Sequence, residues 1–158
     1  MYALVVVESC FGNTHAVAEA VAAGLTEAGA EVALVAASEA PKEPVADLVV
    51  VAAPTHNLGL PSSASRAKAR ENGGDVPETG VKEWLEDAKP LTGVRLVAID
   101  TAVAGMFSGS AAKAAVRLAK SRGWRAERAL SFVVSGQKGP LADGELDRAR
   151  ALGRSWVG

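Results

Sequence analysis

The sequence predicts a doubly wound α/β fold, a parallel sheet of five strands with helices on both faces. Three observations carry it. Apolar runs of strand length alternate with helical patterns along the chain. The runs are nearly continuous in Val, Leu and Ala, as in strands buried on both sides. The first of them ends in a glycine-containing turn that leads straight into a helix.

The five runs are residues 3–8, 31–36, 48–53, 95–100 and 130–135. Between the first two, a helix over residues 13–28 places Val17, Val21, Gly24, Leu25 and Ala28 on one narrow face, with Gly29 as a left-handed stop. Val81, Trp84, Leu85 and Ala88 recur at helical spacing before Pro90 breaks the pattern, and a further helix runs over residues 110–122 and closes at Gly123. The last helix starts at Asp143. Its first turn carries Glu145 and Asp147, its later part Arg150 and Arg154, which suits the helix dipole, and Leu146, Ala149, Gly153 and Trp156 form the expected inner face. Right-handed crossovers then require a parallel sheet covered on both sides. Residues 61–80 are long for a connection; they read as a lid, a partner surface or, preferably, a short Ala-rich helix over residues 63–70.

With 158 residues, of which 49% are hydrophobic, the chain fits one domain over residues 1–158 and needs no covalent staples. Cys10 is the single cysteine, so no internal disulfide forms, and no Cys/His cluster surrounds His15 or His56; a reducing compartment without a structural metal is expected. The apolar start is too short for a signal-peptide core and no run approaches membrane-spanning length, so the expectation is a cytoplasmic protein without a membrane partner. A formal charge of −1 with interspersed signs argues against nucleic acid. Arg66, Lys68 and Arg70 form the one basic concentration and read as a solvated face.

In a doubly wound sheet the ligand lies beyond the carboxyl ends of the strands, where strand order reverses. The loop after the first strand, Ser9-Cys10-Phe11-Gly12-Asn13-Thr14, feeds a helix, so several backbone N–H groups and a helix N-terminus converge there and favour an anion. Gly12 permits the turn, and Ser9, Asn13 and Thr14 offer neutral donors. The turn lacks Lys and Arg and the chain holds no Gly-x-Gly-x-x-Gly, so a mononucleotide phosphate fits better than a triphosphate or a dinucleotide. A plain helix cap is the bland alternative.

The Ser9-x-Phe11-Gly12-Asn13-Thr14 segment resembles the flavodoxin phosphate-binding signature, Thr/Ser-x-Thr-Gly-x-Thr, at its usual place near the N-terminus. Pro54-Thr55-His56-Asn57-Leu58-Gly59 stands where that family's second flavin loop follows strand three, and Thr101-Ala102-Val103-Ala104-Gly105 stands at the third. The resemblance implies sheet order 2-1-3-4-5, FMN as cofactor, and electron shuttling between redox protein partners by a monomer or weak homodimer. It further implies that the three loops, with Cys10 included, form the cofactor site. No catalytic residue is expected, because in an electron carrier the cofactor performs the chemistry.

Three features depart from the family pattern. Phe11 replaces a hydroxyl residue, removing a phosphate contact worth roughly 1–3 kcal/mol. No Trp or Tyr stands in the flavin loops, which offer His56 and Leu58, then Val103, Met106 and Phe107. The near-neutral charge implies a less negative second reduction potential, since a carboxylate about 8 Å from the ring costs an anionic flavin roughly 2 kcal/mol.

Other residues have ordinary readings. Cys10 lacks a His or Asp at a telling spacing, and His56 either covers the ring or fills a loop. Trp84, Trp124 and Trp156 read as packing residues away from the ligand end. A phosphoryl-receiver domain is rejected, because strand three ends Ala52-Ala53-Pro54 without an aspartate and only Glu8 follows strand one. The rivals that remain are a flavin-free interaction module on the same fold and a small FMN-dependent quinone or flavin reductase.

Overall fold

The computed structural model describes residues 1–105 and 109–158. Five strands, β1 (Tyr2–Val7), β2 (Glu31–Ala36), β3 (Leu48–Pro54), β4 (Arg95–Val103) and β5 (Arg125–Val134), alternate with α1 (Asn13–Glu27), α2 (Ser63–Glu71), α3 (Val81–Asp87), α4 (Ala111–Ser121) and α5 (Glu145–Ser155). All pairings are parallel in the order β2-β1-β3-β4-β5. The order reverses between β1 and β3. Val7 pairs with Ala36 and Ala52, and Pro54 with Thr101, so the loops after β1, β3 and β4 leave the same edge of the sheet.

Strand alternation divides the core into two layers. Val5, Val7, Val50, Ala52, Val97 and Ile99 face α1 and α5, meeting Val17, Val21, Leu25 and Ala149; Leu4, Val6, Val49, Val51, Leu96 and Ala98 face α3 and α4. In the second layer Trp84 and Trp124 pack with ring centroids 5.9 Å apart; Trp84 Nε1 donates to the Pro41 carbonyl at 3.0 Å, while Trp124 Nε1 has no partner among the described residues. Helices α1 and α5 cross so closely that a Cβ on Gly24 would lie 2.0 Å from the Arg150 carbonyl oxygen, and one on Gly153 would lie 2.2 Å from that of Val21. Gly29 ends the first crossover with φ 103°, the left-handed stop the sequence suggests.

Three expectations need correction. β5 starts at Arg125, well before residue 130, because it is an edge strand whose first half carries exposed Arg125, Glu127 and Arg128; an apolar run does not reveal such a strand. Leu146 is exposed, since α5 turns Glu145 inward instead, where its carboxylate accepts the Val133 N–H at 2.7 Å. Arg66 is no part of a solvated face. It is 0% exposed and bridges Glu8 at 2.7 Å and Glu83 at 2.7 Å, tying α2 and the start of α3 to the end of β1. Residues 63–70 are indeed helical, within α2.

Candidate functional site

The loops after β1, β3 and β4 surround a cavity of about 460 Å³, within the range of small-molecule sites. From the first loop Ser9, Cys10, Phe11, Asn13 and Thr14 line it; from the second, Pro54, Thr55, His56 and Asn57; from the third, Thr101, Ala102 and Val103. Three residues expected at the site do not line it. Gly12 faces a second pocket on the other side of its turn, while Gly59 and Gly105 line neither. Leu58 is held outside, 64% exposed. Met106 and Phe107 lie outside the described residues.

The turn after β1 is shaped by Gly12, which adopts φ 95° with nothing within 4 Å of a Cβ placed on it. Its N–H donates to Ser9 Oγ at 3.1 Å, and its carbonyl accepts the first helical bond, from Ala16. The first N–H groups of α1 have no intrahelical partner by geometry. No side chain caps this end, its first turn holds no acidic residue, and among the described residues nothing accepts from the N–H groups of Asn13, Thr14 or His15. The plain-cap alternative therefore fails. At three other helices the same requirement is met within the chain: Ser62 caps α2, Ser110 caps α4, and Glu8 accepts the first N–H of α3 at 3.0 Å. Helix α5 also starts on a left-handed glycine without a side-chain cap, but it carries Glu145 and Asp147 in its first turn, where α1 carries no acidic residue.

Thr14 Oγ1 shares a 2.8 Å hydrogen bond with Thr101 Oγ1, fastening the first turn of α1 to the end of β4. Thr55 Oγ1 accepts the Ala111 N–H at 3.2 Å, and Asp100 accepts from Ser110 Oγ, Ser131 Oγ and the Ala112 N–H. Sequence reasoning gave Asp100 no role. A carboxylate that ends a buried strand before a Ser-capped helix is the signal that would have found it.

Phe11 has a structural partner. Its ring packs with Cys10, Ala69 and Val76, and the Cys10 carbonyl accepts the Asp75 N–H at 3.1 Å, so the turn anchors α2 and the segment after it. This brings Ser65, Lys68 and Ala69 to the cavity wall, with Val134 and Gln137 from the other side, all five unforeseen in the sequence. His56 has partners that sequence spacing hid. Its Nδ1 lies 2.9 Å from Ser65 Oγ and its Nε2 3.7 Å from Cys10 Sγ. Burial holds the imidazole below its usual value, and burial with the Glu8 carboxylate pushes the Cys10 thiol up to about 11. A neutral imidazole beside a neutral thiol is no activated nucleophile.

Behind the turn, burial opposes the charges of Arg66 and Glu83, yet their hydrogen bonds prevail. Those from Glu8 and Glu83 raise the guanidinium above its usual range, and those from Arg66 and the Gly80 N–H hold the Glu83 carboxyl below its own. Gly80 permits this approach, for a Cβ there would lie 1.9 Å from Glu8 Oε1.

The Asn57-Leu58 turn is tight. His56 and Gly59 exchange backbone hydrogen bonds of 2.9 and 2.8 Å, and Asn57 and Leu58 take φ 47° and 70°, a conformation costing a leucine on the order of 1–2 kcal/mol.

The flavodoxin family model matches residues 5–149. The chain belongs to the flavodoxin family. Flavin binding, typically of FMN, and electron transfer are general to that family. Among solved structures, flavodoxin 1 from Bacillus cereus matches with a TM-score of 0.70 at 17% identity, over 99% of this chain and 97% of that one. A short-chain flavodoxin associated with a bacterial microcompartment gives 0.69 at 19%, over 100% and 99%. Rubredoxin oxygen:oxidoreductase from Desulfovibrio gigas gives 0.63 at 15%, where 99% of this chain corresponds to 35% of that larger protein. The chain matches no curated protein sequence. These likenesses establish the flavodoxin fold and its strand order. No helix of the described residues is long and apolar enough to cross a membrane.

Proposed function

We propose that this flavodoxin binds FMN in the cavity between the β1, β3 and β4 loops and carries electrons between redox proteins in the cytoplasm. The supporting observation is the N-terminus of α1. It opens on a cavity with its N–H groups unsatisfied and no carboxylate nearby among the cavity's lining residues, as an anionic phosphate requires.

The residues present fit the cofactor. The N–H groups at the start of α1, from Asn13, Thr14 and His15, suit the phosphate, while the apolar walls from Pro54, Ala102 and Val103 suit a ring. Thr14 and Ser9 contribute mainly to the shape of the turn, since their hydroxyls are engaged with Thr101 and Gly12. Bound FMN supplies the one-electron chemistry, and the chain positions it and screens it from water.

Purified protein mixed with FMN and passed through gel filtration tests this reading. Retained visible flavin bands, absent from a Gly12→Asp variant, are the expected result. A protein that retains no flavin and leaves FMN fluorescence unchanged on titration is instead a flavin-free interaction module. Rapid oxidation of NADH or NADPH by the loaded protein alone identifies a reductase.

A further inference from the structure

The cavity wall offers positive charge and no carboxylate. Among its lining residues Lys68 is the sole charged side chain. Lys138, in the loop after β5, holds its Nζ 6.0 Å from the centre of the Phe11 ring. Lys113 is exposed in the first turn of α4, directly after Ser110, whose N–H donates to the Leu58 carbonyl at 3.2 Å. Neither Lys113 nor Lys138 has an ion-pair partner among the described residues. Glu71 stands 3.8 Å from Lys68 with both side chains mostly in water, where such pairing is weak, and Asp75 faces the other side of the Phe11 turn.

Leu58 stands at the same rim, 64% exposed on a left-handed backbone that glycine would adopt more easily. Gly109 holds it from behind, so close that a Cβ there would lie 2.0 Å from Leu58 Cα. Among the described residues nothing covers this strained apolar side chain, and an exposed apolar tip of this kind suits a contact with another molecule.

We propose that Lys68, Lys113 and Lys138, around the Leu58 tip, form the docking surface for an acidic redox protein. The inference rests on the electron-carrier reading and names that carrier's partner by charge. One electron passes between the bound flavin and the partner's redox centre, so that whichever is the donor is oxidised and the other reduced. Because the formal charge of the whole chain is −1, the long-range field is weak and local charges orient the encounter. The apolar tip suits a protein surface rather than a nucleic acid backbone.

The test is an amide chemical-shift titration of the isotope-labelled protein with poly-L-glutamate at low salt, with flavin retention measured on the same preparation. Expected are shifts confined to the neighbourhood of Phe11, Leu58, Lys68, Lys113 and Lys138. The affinity should fall roughly tenfold at high salt and as far in a Lys113→Glu/Lys138→Glu variant, whose folding is confirmed by its unchanged remaining spectrum. Equal shifts with poly-L-lysine, no shifts at the rim, or an unaffected double variant overturn the docking surface. Tighter binding of single-stranded DNA to the same amides overturns it in favour of a nucleic acid. Rim shifts without retained flavin support the acidic docking surface and sink the carrier reading, whereas retained flavin without rim shifts does the reverse.

Discussion

Helices α1 and α4 begin at the same edge of the sheet, yet their N-termini are finished in opposite ways. At α4 the Ala111 N–H goes to Thr55 Oγ1, the Ala112 N–H to the Asp100 carboxylate at 2.9 Å, and the Lys113 N–H to Ser110 Oγ at 3.1 Å. At α1 the three equivalent groups have no acceptor among the described residues. Both ends carry the same partial positive charge from the helix dipole. The chain neutralises one with its own carboxylate and leaves the other facing a cavity, at the strand where the sheet order reverses. The filled N-terminus serves the architecture, and the empty one beside the cavity is the proposed phosphate site.

The largest effect should come from emptying α4. Asp100→Ala leaves the Ser110 and Ser131 hydroxyls and the Ala112 N–H without their buried acceptor, and is expected to lower stability in urea by about 3 kcal/mol or more. The variant should still distinguish phosphorylated from unphosphorylated flavin. Filling α1 is the converse. Gly12→Asp places a carboxylate at the N-cap position that Ser110 occupies in α4; the gain of a cap and the left-handed strain, each about 1 kcal/mol, roughly cancel in the apoprotein. FMN affinity, measured by fluorescence titration, should nevertheless fall about 100-fold, or about 2.7 kcal/mol.

A smaller effect tests what holds α1 in place. Gly24→Ala forces a methyl onto the Arg150 carbonyl and is expected to cost about 1–3 kcal/mol, read as a lower denaturation midpoint, without changing the preference for phosphate. The smallest concerns the far end of that contact. Hydrogen bonds from Arg150 and then Arg154 lower the Glu27 carboxyl from 4.5 to about 2. A carboxyl lowered on folding contributes stability that is complete above the unfolded value and disappears as pH falls through the folded one. Urea midpoints should therefore decline between about pH 4.5 and 2, and Glu27→Gln should flatten part of that decline.

The contrast between the two helices also shows what a sequence can reveal. Four strands and the α1 turn were legible because their signals are local: continuous apolar runs, a glycine at a left-handed position, a helix that starts directly afterwards. The start of β5 was not, because its exposed face supplies polar residues that hide the strand period. Arg66 looked like surface because the carboxylate that keeps it buried, Glu8, is 58 positions away. His56 looked partnerless because Cys10 lies 46 positions back. Loops could be assigned to the site, but not which residues α2 would bring over it, since Ser65 and Lys68 reach the cavity through long-range contacts, the packing of Phe11 on Ala69 and the Arg66–Glu8 bridge.

Whether the uncapped end of α1 holds a phosphate is decided by parallel fluorescence titration of the apoprotein with FMN and with riboflavin, which differ by that group alone. FMN should bind at least about 100-fold tighter, with the difference abolished by Gly12→Asp and kept by Asp100→Ala. Equal affinities for the two flavins, or a preference that survives Gly12→Asp, would contradict it.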